Sequence, residues 1–174
     1  MLKIFVYGTL KPGQCNDQYC RDRQSAETAW ARGQLFKLPV GYPAMTKGTQ
    51  WVKGVLLTFA DDTFEENKIL SRLDALEDYS PYRPASENEY QRDWIEVFTI
   101  ETITLETIAL EIIAPEAFSP DMSNTSTPKT QADEMRSAVA KSKSLGYGWA
   151  YFMEPERVQQ IGGRLISEGE WTGD

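Results

Sequence analysis

The sequence predicts an α+β fold: a small mixed β-barrel or sheet with flanking helices. Three observations predict it. The chain has 174 residues, enough to bury its own core, so residues 1–174 read as a single domain. Hydrophobic residues make up 41% and charged residues 25%, the composition of a globular chain rather than a disordered one. Many segments read as strands and only two or three as helices, with no repeat, heptad or low-complexity tract.

The elements follow in order. Residues 2–7 are apolar and rich in β-formers, and the pattern breaks at Gly8 and again at Pro12-Gly13, as a strand running into a tight loop does. Asn16 is a candidate N-cap for a short polar helix over residues 17–25. Trp30–Leu38 and Trp51–Phe59 alternate as two strands, and Pro39, Gly41, Pro43 and Gly48 mark the loop between them. Asp62 or Thr63 caps a helix whose apolar residues Phe64, Ile69, Leu70, Leu73 and Leu76 share one face. It ends near Tyr79-Ser80-Pro81. Tyr90–Ile100 and Thr102–Ile113 are β-branched and aromatic, giving two more strands. Residues 114–126 read as a surface loop, and Thr127-Pro128 opens a helix running to Lys143. Gly146–Phe152 reads as a last core strand, followed by a tail with Gly162-Gly163, Leu165-Ile166 and Trp171. Trp30, Tyr42, Trp51, Trp94 and Trp149 read as core aromatics.

Composition excludes several chemistries. The chain contains no histidine, which removes Ser-His-Asp and Cys-His nucleophile pairs, imidazole acid–base catalysis and HExxH zinc sites. Cys15 and Cys20 are too few for a disulfide framework or a four-cysteine zinc site, and their spacing is not that of a CxxC redox motif. The residues suggest neither a metal site nor a cofactor. With 18 Lys and Arg against 26 Asp and Glu, the net charge of −8 argues against a nucleic-acid partner. No uncharged run exceeds ten residues, so no membrane span is expected, and the first residues read as a strand and not as a signal peptide. The expected location is the cytoplasm.

Three segments are candidates for chemistry. At Tyr7-Gly8-Thr9-Leu10 a strand stopping at glycine exposes consecutive backbone N–H groups, which can form an anion-binding concavity. The alternative is an ordinary strand-to-loop turn, and the absence of GxxxxGK[ST] leaves nucleotide binding without support. At the C-terminal end of the long helix, in Asp74–Tyr79, Glu77 lies beside the apolar stripe of Leu73 and Leu76 while Asp78 turns outward. A carboxylate there faces the unfavourable end of the helix dipole, and burial would raise its pKa further. Both effects move Glu77 towards a general base in a protein without histidine; the alternative is a solvated charge on an acidic helix. Pairing Asp74 with Glu77 at a metal is a weaker idea. In Glu87–Arg92, Tyr90 and Arg92 fall on one side at period two and can line a pocket wall, or Arg92 can form a salt bridge at a strand edge. Glu89 is a reserve candidate for the base.

In order, "LKIFVYGTLKPG", "GYPAM", "LDALEDY", "EYQR", "YGWAYFM" and "LISEGEW" span nearly the whole chain. Together they resemble the γ-glutamylcyclotransferase-like family, in its γ-glutamylamine cyclotransferase or avirulence-induced-gene-like branch. The resemblance implies a small mixed β-barrel with an active cavity where the YGTL loop meets a glutamate. It implies cyclisation of a γ-glutamyl amine or peptide to 5-oxoproline with release of the amine, and no cofactor or metal. Carried onto this chain, Glu77 is the essential glutamate, Tyr7, Gly8, Thr9 and Leu10 bind substrate through their backbone, and Tyr90 and Arg92 contribute to the pocket. Residues at about 114–146 lengthen the late part beyond the compact family pattern, as an inserted excursion that suggests a lid, an altered pocket or a partner site.

That chemistry suits the residues. A γ-glutamyl group carries both its nucleophile, the α-amine, and its electrophile, the γ-carbonyl, so folding the chain back supplies much of the catalysis. An α-amino group has a pKa of about 8 and an ordinary glutamate about 4.3, so a raised Glu77 narrows the gap. Backbone N–H groups of residues 8–10 would hold the substrate carboxylate or the oxyanion. The alternatives are a catalytically silent module binding a small molecule in the same cavity, and a scaffold whose 114–146 excursion binds a protein partner. The sequence leaves the oligomeric state and the particular γ-glutamyl compound open.

Overall fold

The computed structural model describes residues 1–102 and 140–173. The chain divides into two compact units, Met1–Thr99 with Ser144–Asp174, and Ile100–Lys143. The core and the site described below lie in the first; of the second, the described residues are the ends of two strands. The strands are β1 (Lys3–Val6), β2 (Ser25–Lys37), β3 (Pro43–Thr58), β4 (Gln91–Thr102), β5 (Ala140–Phe152) and β6 (Arg164–Leu165). The helices are α1 (Thr63–Leu76) and α2 (Pro155–Ile161).

The sheet order β3-β1-β5-β4-β2 closes on itself because β2 also pairs with β3, which makes a five-stranded barrel, and β6 adds to β2 outside the ring. The sheet is mixed: β1 runs antiparallel to β3 and parallel to β5, while β2 runs antiparallel to β3, β4 and β6. The expected α+β class and small mixed barrel are what the chain forms.

Side-chain alternation explains the layers. On β1, Phe5 joins Ala29, Leu35, Met45, Val52, Val97 and Ala150 in a cluster drawing on all five ring strands, the barrel interior. Ile4 and Val6 face the other way and pack with Leu57, Ile69, Leu73, Met153 and Val158, filling the space between the barrel and the two helices. β1 is thus buried on both faces, which is why it reads as a continuous apolar run. α1 starts where the Asp62 carboxylate accepts hydrogen bonds from the N–H groups of Phe64 and Glu65.

Several boundaries differ from the sequence reading. The expected helix over 17–25 is a single 3-10 turn, Asp17–Cys20, because from Ser25 onward the chain pairs with β3. β3 begins at Pro43, so much of the expected 39–48 loop is strand. Pro43 takes the first strand position, where proline is tolerated. The register then breaks: Gln34 faces Thr46 while Gly33 faces Gln50, leaving Lys47, Gly48 and Thr49 as a bulge. Phe64 is not on the buried face of α1; it is 75% exposed in the first turn. Of the five aromatics read as core, none is fully buried and Trp94 is 50% exposed, whereas Trp171 closes the barrel interior at 6%. Helix α2 was not expected; Pro155 in its first turn and Gly162 at its left-handed C-cap (φ 83°) were the signals for it. The strand and loop expected over 103–126, and most of the helix expected to Lys143, lie outside the described residues. Residues 140–143 of that helix are strand β5. The 114–146 excursion likewise falls largely outside them, and its last residues belong to β5.

Candidate active site

The site begins where β1 ends. Tyr7, Gly8, Thr9 and Leu10 line a cavity of about 380 Å³, and no N–H of Gly8, Thr9 or Leu10 is used in a hydrogen bond among the described residues. Three adjacent free donors on one wall are a ready acceptor site for an anionic oxygen. The loop is held from behind: the Lys11 N–H donates to the Gly8 carbonyl (3.1 Å), and the Asn16 N–H and Nδ2 donate to the Thr9 carbonyl (3.0 Å) and Oγ1 (3.1 Å). Gly8 is needed for close packing. A Cβ there would stand 2.6 Å from Cγ of Pro43.

Another part of the lining comes from the end of α1. Glu77 is the C-cap residue, and its N–H donates to the Leu73 carbonyl. Asp78 then takes a left-handed conformation (φ 46°), which asparagine and aspartate tolerate better than most residues and which turns the chain out of the helix. The chain comes back at Glu89 and Tyr90, whose N–H groups donate to the carbonyls of Asp78 (3.1 Å) and Glu77 (3.3 Å). Buried Asn88 fixes the excursion, accepting from Ser80 N–H (3.0 Å) and Arg83 Nε (2.9 Å) and donating to the Ser80 carbonyl (3.1 Å). Two glutamates and a tyrosine are therefore brought to one wall by backbone bonds.

Electrostatics separate the acids. Glu77 lines the cavity, and its carboxyl makes no hydrogen bond to a described residue. Burial, helped by the charge of Glu89, pushes it up to about 7. Glu89 instead accepts from the Tyr42 hydroxyl at 2.8 Å. Burial, the bond to Glu89 and its charge push Tyr42 up to about 12. Burial also raises Tyr7, Tyr90 and Tyr151, so these phenols stay protonated. Each donates inward: Tyr7 to the Tyr151 carbonyl (2.9 Å), Tyr90 to the Pro43 carbonyl (3.1 Å) and Tyr151 to Asp74 (2.7 Å).

Tyr7, Gly8, Thr9, Leu10, Glu77 and Tyr90 thus share one cavity, and Arg92 is not among the residues that line it. Arg92 grips Asp74 with one nitrogen on both carboxylate oxygens (2.9 and 2.7 Å), and its guanidinium lies 5.3 Å and 4.9 Å from the ring centres of Tyr79 and Trp149. Its reach to the wall is indirect, through Asp74 to Tyr151. Asp74 is accordingly engaged with Arg92 and Tyr151 and does not pair with Glu77. Sequence reasoning passed over Tyr42 and Tyr151, which it treated as core or strand residues, and Asn88. Tyr151 was findable, two residues from Trp149 on a strand with one face towards α1.

The fold has counterparts among known proteins. Residues 4–118 match the family described as Gamma-glutamyl cyclotransferase, AIG2-like. An AIG2-like protein from Mus musculus superposes with a TM-score of 0.51 at 17% identity, over 99% of this chain and 88% of that one. YkqA from Bacillus subtilis gives a TM-score of 0.50 at 16% identity over 98% of this chain and 39% of that one, so the chain spans well under half of YkqA. At such identities the likeness shows the fold alone. No curated protein matches the chain in sequence.

Proposed function

The chain belongs to the Gamma-glutamyl cyclotransferase, AIG2-like family, and from that premise we propose that it cyclises a γ-glutamyl amine or peptide to 5-oxoproline and releases the amine. One observation carries the reading: Glu77, with an unpartnered carboxyl pushed up to about 7 by burial, lines the same cavity as Gly8, Thr9 and Leu10 with their free N–H groups. A merely ligand-holding pocket has no need of an acid poised at neutral pH.

The reaction is redox-neutral and balances within the substrate. Ionised Glu77 takes one proton from the α-ammonium. The freed nitrogen attacks the γ-carbonyl carbon, and the C–N bond to the leaving amine breaks. Protonated Glu77 returns its proton to the departing nitrogen, and the lactam nitrogen's surplus proton completes the ammonium of the product amine. The N–H groups of residues 8–10 hold the anionic oxygens that a bent glutamyl unit brings to them, and the tyrosine wall shapes the space. Holding nucleophile and carbonyl in contact supplies several kcal/mol.

The test is a screen for 5-oxoproline release over γ-glutamyl dipeptides, γ-glutamyl amines and glutathione. Wild type should release it from at least one class, and Glu77→Gln should lower that rate about 10²–10⁴-fold. Release by Glu77→Gln at the wild-type rate refutes the assignment, and loss confined to Glu89→Gln moves the base to Glu89.

A further inference from the structure

We infer that Glu89 is an ammonium anchor: its carboxylate, clamped by the Tyr42 hydroxyl, and the Glu77 carboxyl beside it grip the α-ammonium of a γ-glutamyl compound between them. The inference rests on the cyclisation reading for the identity of the substrate, and it adds a specificity-determining residue to that site.

Geometry carries it. Glu77 and Glu89 line the same cavity, and the paired backbone bonds from Glu89 and Tyr90 to Asp78 and Glu77 fix the two residues side by side. Among the described residues neither acid is in a salt bridge. Two carboxylates sharing a poorly hydrated pocket resist joint ionisation unless a cation sits between them. The one cation common to every γ-glutamyl compound is its α-ammonium, with three N–H donors, enough to serve both acids at once. It is also the group that must lose a proton.

The two acids have different roles because their partners differ. The Tyr42 hydroxyl donates to Oε1 of Glu89 and holds that carboxylate in place, while Glu77 has no such donor among the described residues. The groups facing Glu77 are Tyr7 at the end of β1, Cys20 in the 3-10 turn, Tyr42 in the β2–β3 loop, Tyr90, Tyr151 on β5, and Glu89. Arg157 on α2 faces Tyr42. The phenols and the thiol are raised and neutral, so burial and, beside it, the charge of Glu89 hold Glu77 up. Arrival of the ammonium cancels that repulsion, and Glu77 becomes ionised as the proton to be removed comes within reach.

Glu89→Gln tests this, since it keeps the volume and an oxygen for Tyr42. Its KM should rise about ten- to hundredfold, the worth of a charge-assisted hydrogen bond. The factor should be the same for neutral and cationic leaving amines, and the acid limb of kcat/KM should move to lower pH. A loss confined to cationic leaving amines would place Glu89 at the leaving group and overturn the inference, as would an unchanged KM and acid limb. A binding measurement separates the two claims. In Glu77→Gln, titrated by calorimetry, γ-glutamyl methylamide should bind at least tenfold more tightly than its desamino analogue, N-methylglutaramate, and Glu89→Gln added to it should erase the difference. If that difference persists while no compound yields 5-oxoproline, cyclisation fails and the anchor stands. Equal binding of the two analogues, or binding of neither, overturns the anchor whatever the turnover.

Discussion

With its carboxyl pushed up to about 7, Glu77 binds a proton more tightly in the fold than in the unfolded chain, where it titrates near 4.5. Below about pH 4.5 both states hold that proton, so its contribution is fully present. As pH rises through 7 the folded carboxyl must ionise in a poorly hydrated wall, and up to about 3 kcal/mol of stability is lost. Glu77→Gln cannot ionise. It is therefore expected to be more stable than wild type at pH 8, by an amount that vanishes near pH 4, as measured by urea denaturation at both pH values. Equal stability at pH 8 would mean a well-hydrated carboxyl. Gly8 makes a second residue-scale prediction: Gly8→Ala, whose Cβ must displace the Pro43 ring, should cost about 1–3 kcal/mol and weaken γ-glutamyl binding. Glu77 was legible because helix end, apolar stripe and acid are all sequence-local. The clamp of Tyr42 on Glu89 was not, because 47 positions separate the partners and only strand pairing brings them together.

At the scale of elements, α1 places Glu77, the proposed base, and β4 secures α1. Arg92, expected in the pocket wall, ties the strand to the helix through Asp74, with both side chains largely shielded from water at 15% and 17% exposure. Period two suggests Tyr90 and Arg92 on one side, but Tyr90 lines the cavity and Arg92 does not, because a carboxylate on α1, one turn before Glu77, captured the guanidinium. Removing one partner of such a pair leaves a shielded charge, so Arg92→Ala should destabilise the protein by about 3 kcal/mol or more in chemical denaturation. An unchanged midpoint would show the pair to be dispensable. The N-cap is a smaller effect: Asp62→Ala should cost about 1 kcal/mol. The β3 boundary was illegible for a related reason. Pro43 and Gly48 signal a turn locally, yet Pro43 starts the strand and Gly48 sits in a bulge that only the pairing with β2 defines.

For the whole molecule, barrel closure joins the N-terminal loop to a helix end from the middle of the chain and to Tyr151 near its end. Fold class was legible because alternation and strand count are repeated signals; ring closure, a property of pairing order, was legible only through the family resemblance. The C-terminal segment completes the interior. Trp171 packs among Phe5, Val52 and Phe152, its carbonyl accepts from Lys11, and the Gly169 carbonyl accepts from the Lys53 N–H at 2.8 Å. Trp171→Ala should lower stability by about 3–5 kcal/mol, read as a fall in melting temperature. Among the described residues no helix is long and apolar enough to cross a membrane. The proposed reaction turns on one proton, carried by Glu77 from the α-ammonium to the leaving amine. Initial rates of 5-oxoproline release across pH 5 to 8, with substrate well below KM and wild type beside Glu77→Gln, follow that proton. The wild-type rate should climb through an acid limb near 7 that the variant lacks, its residual rate being at least a hundredfold lower. An acid limb retained in Glu77→Gln, at an undiminished rate, would show that another group carries the proton.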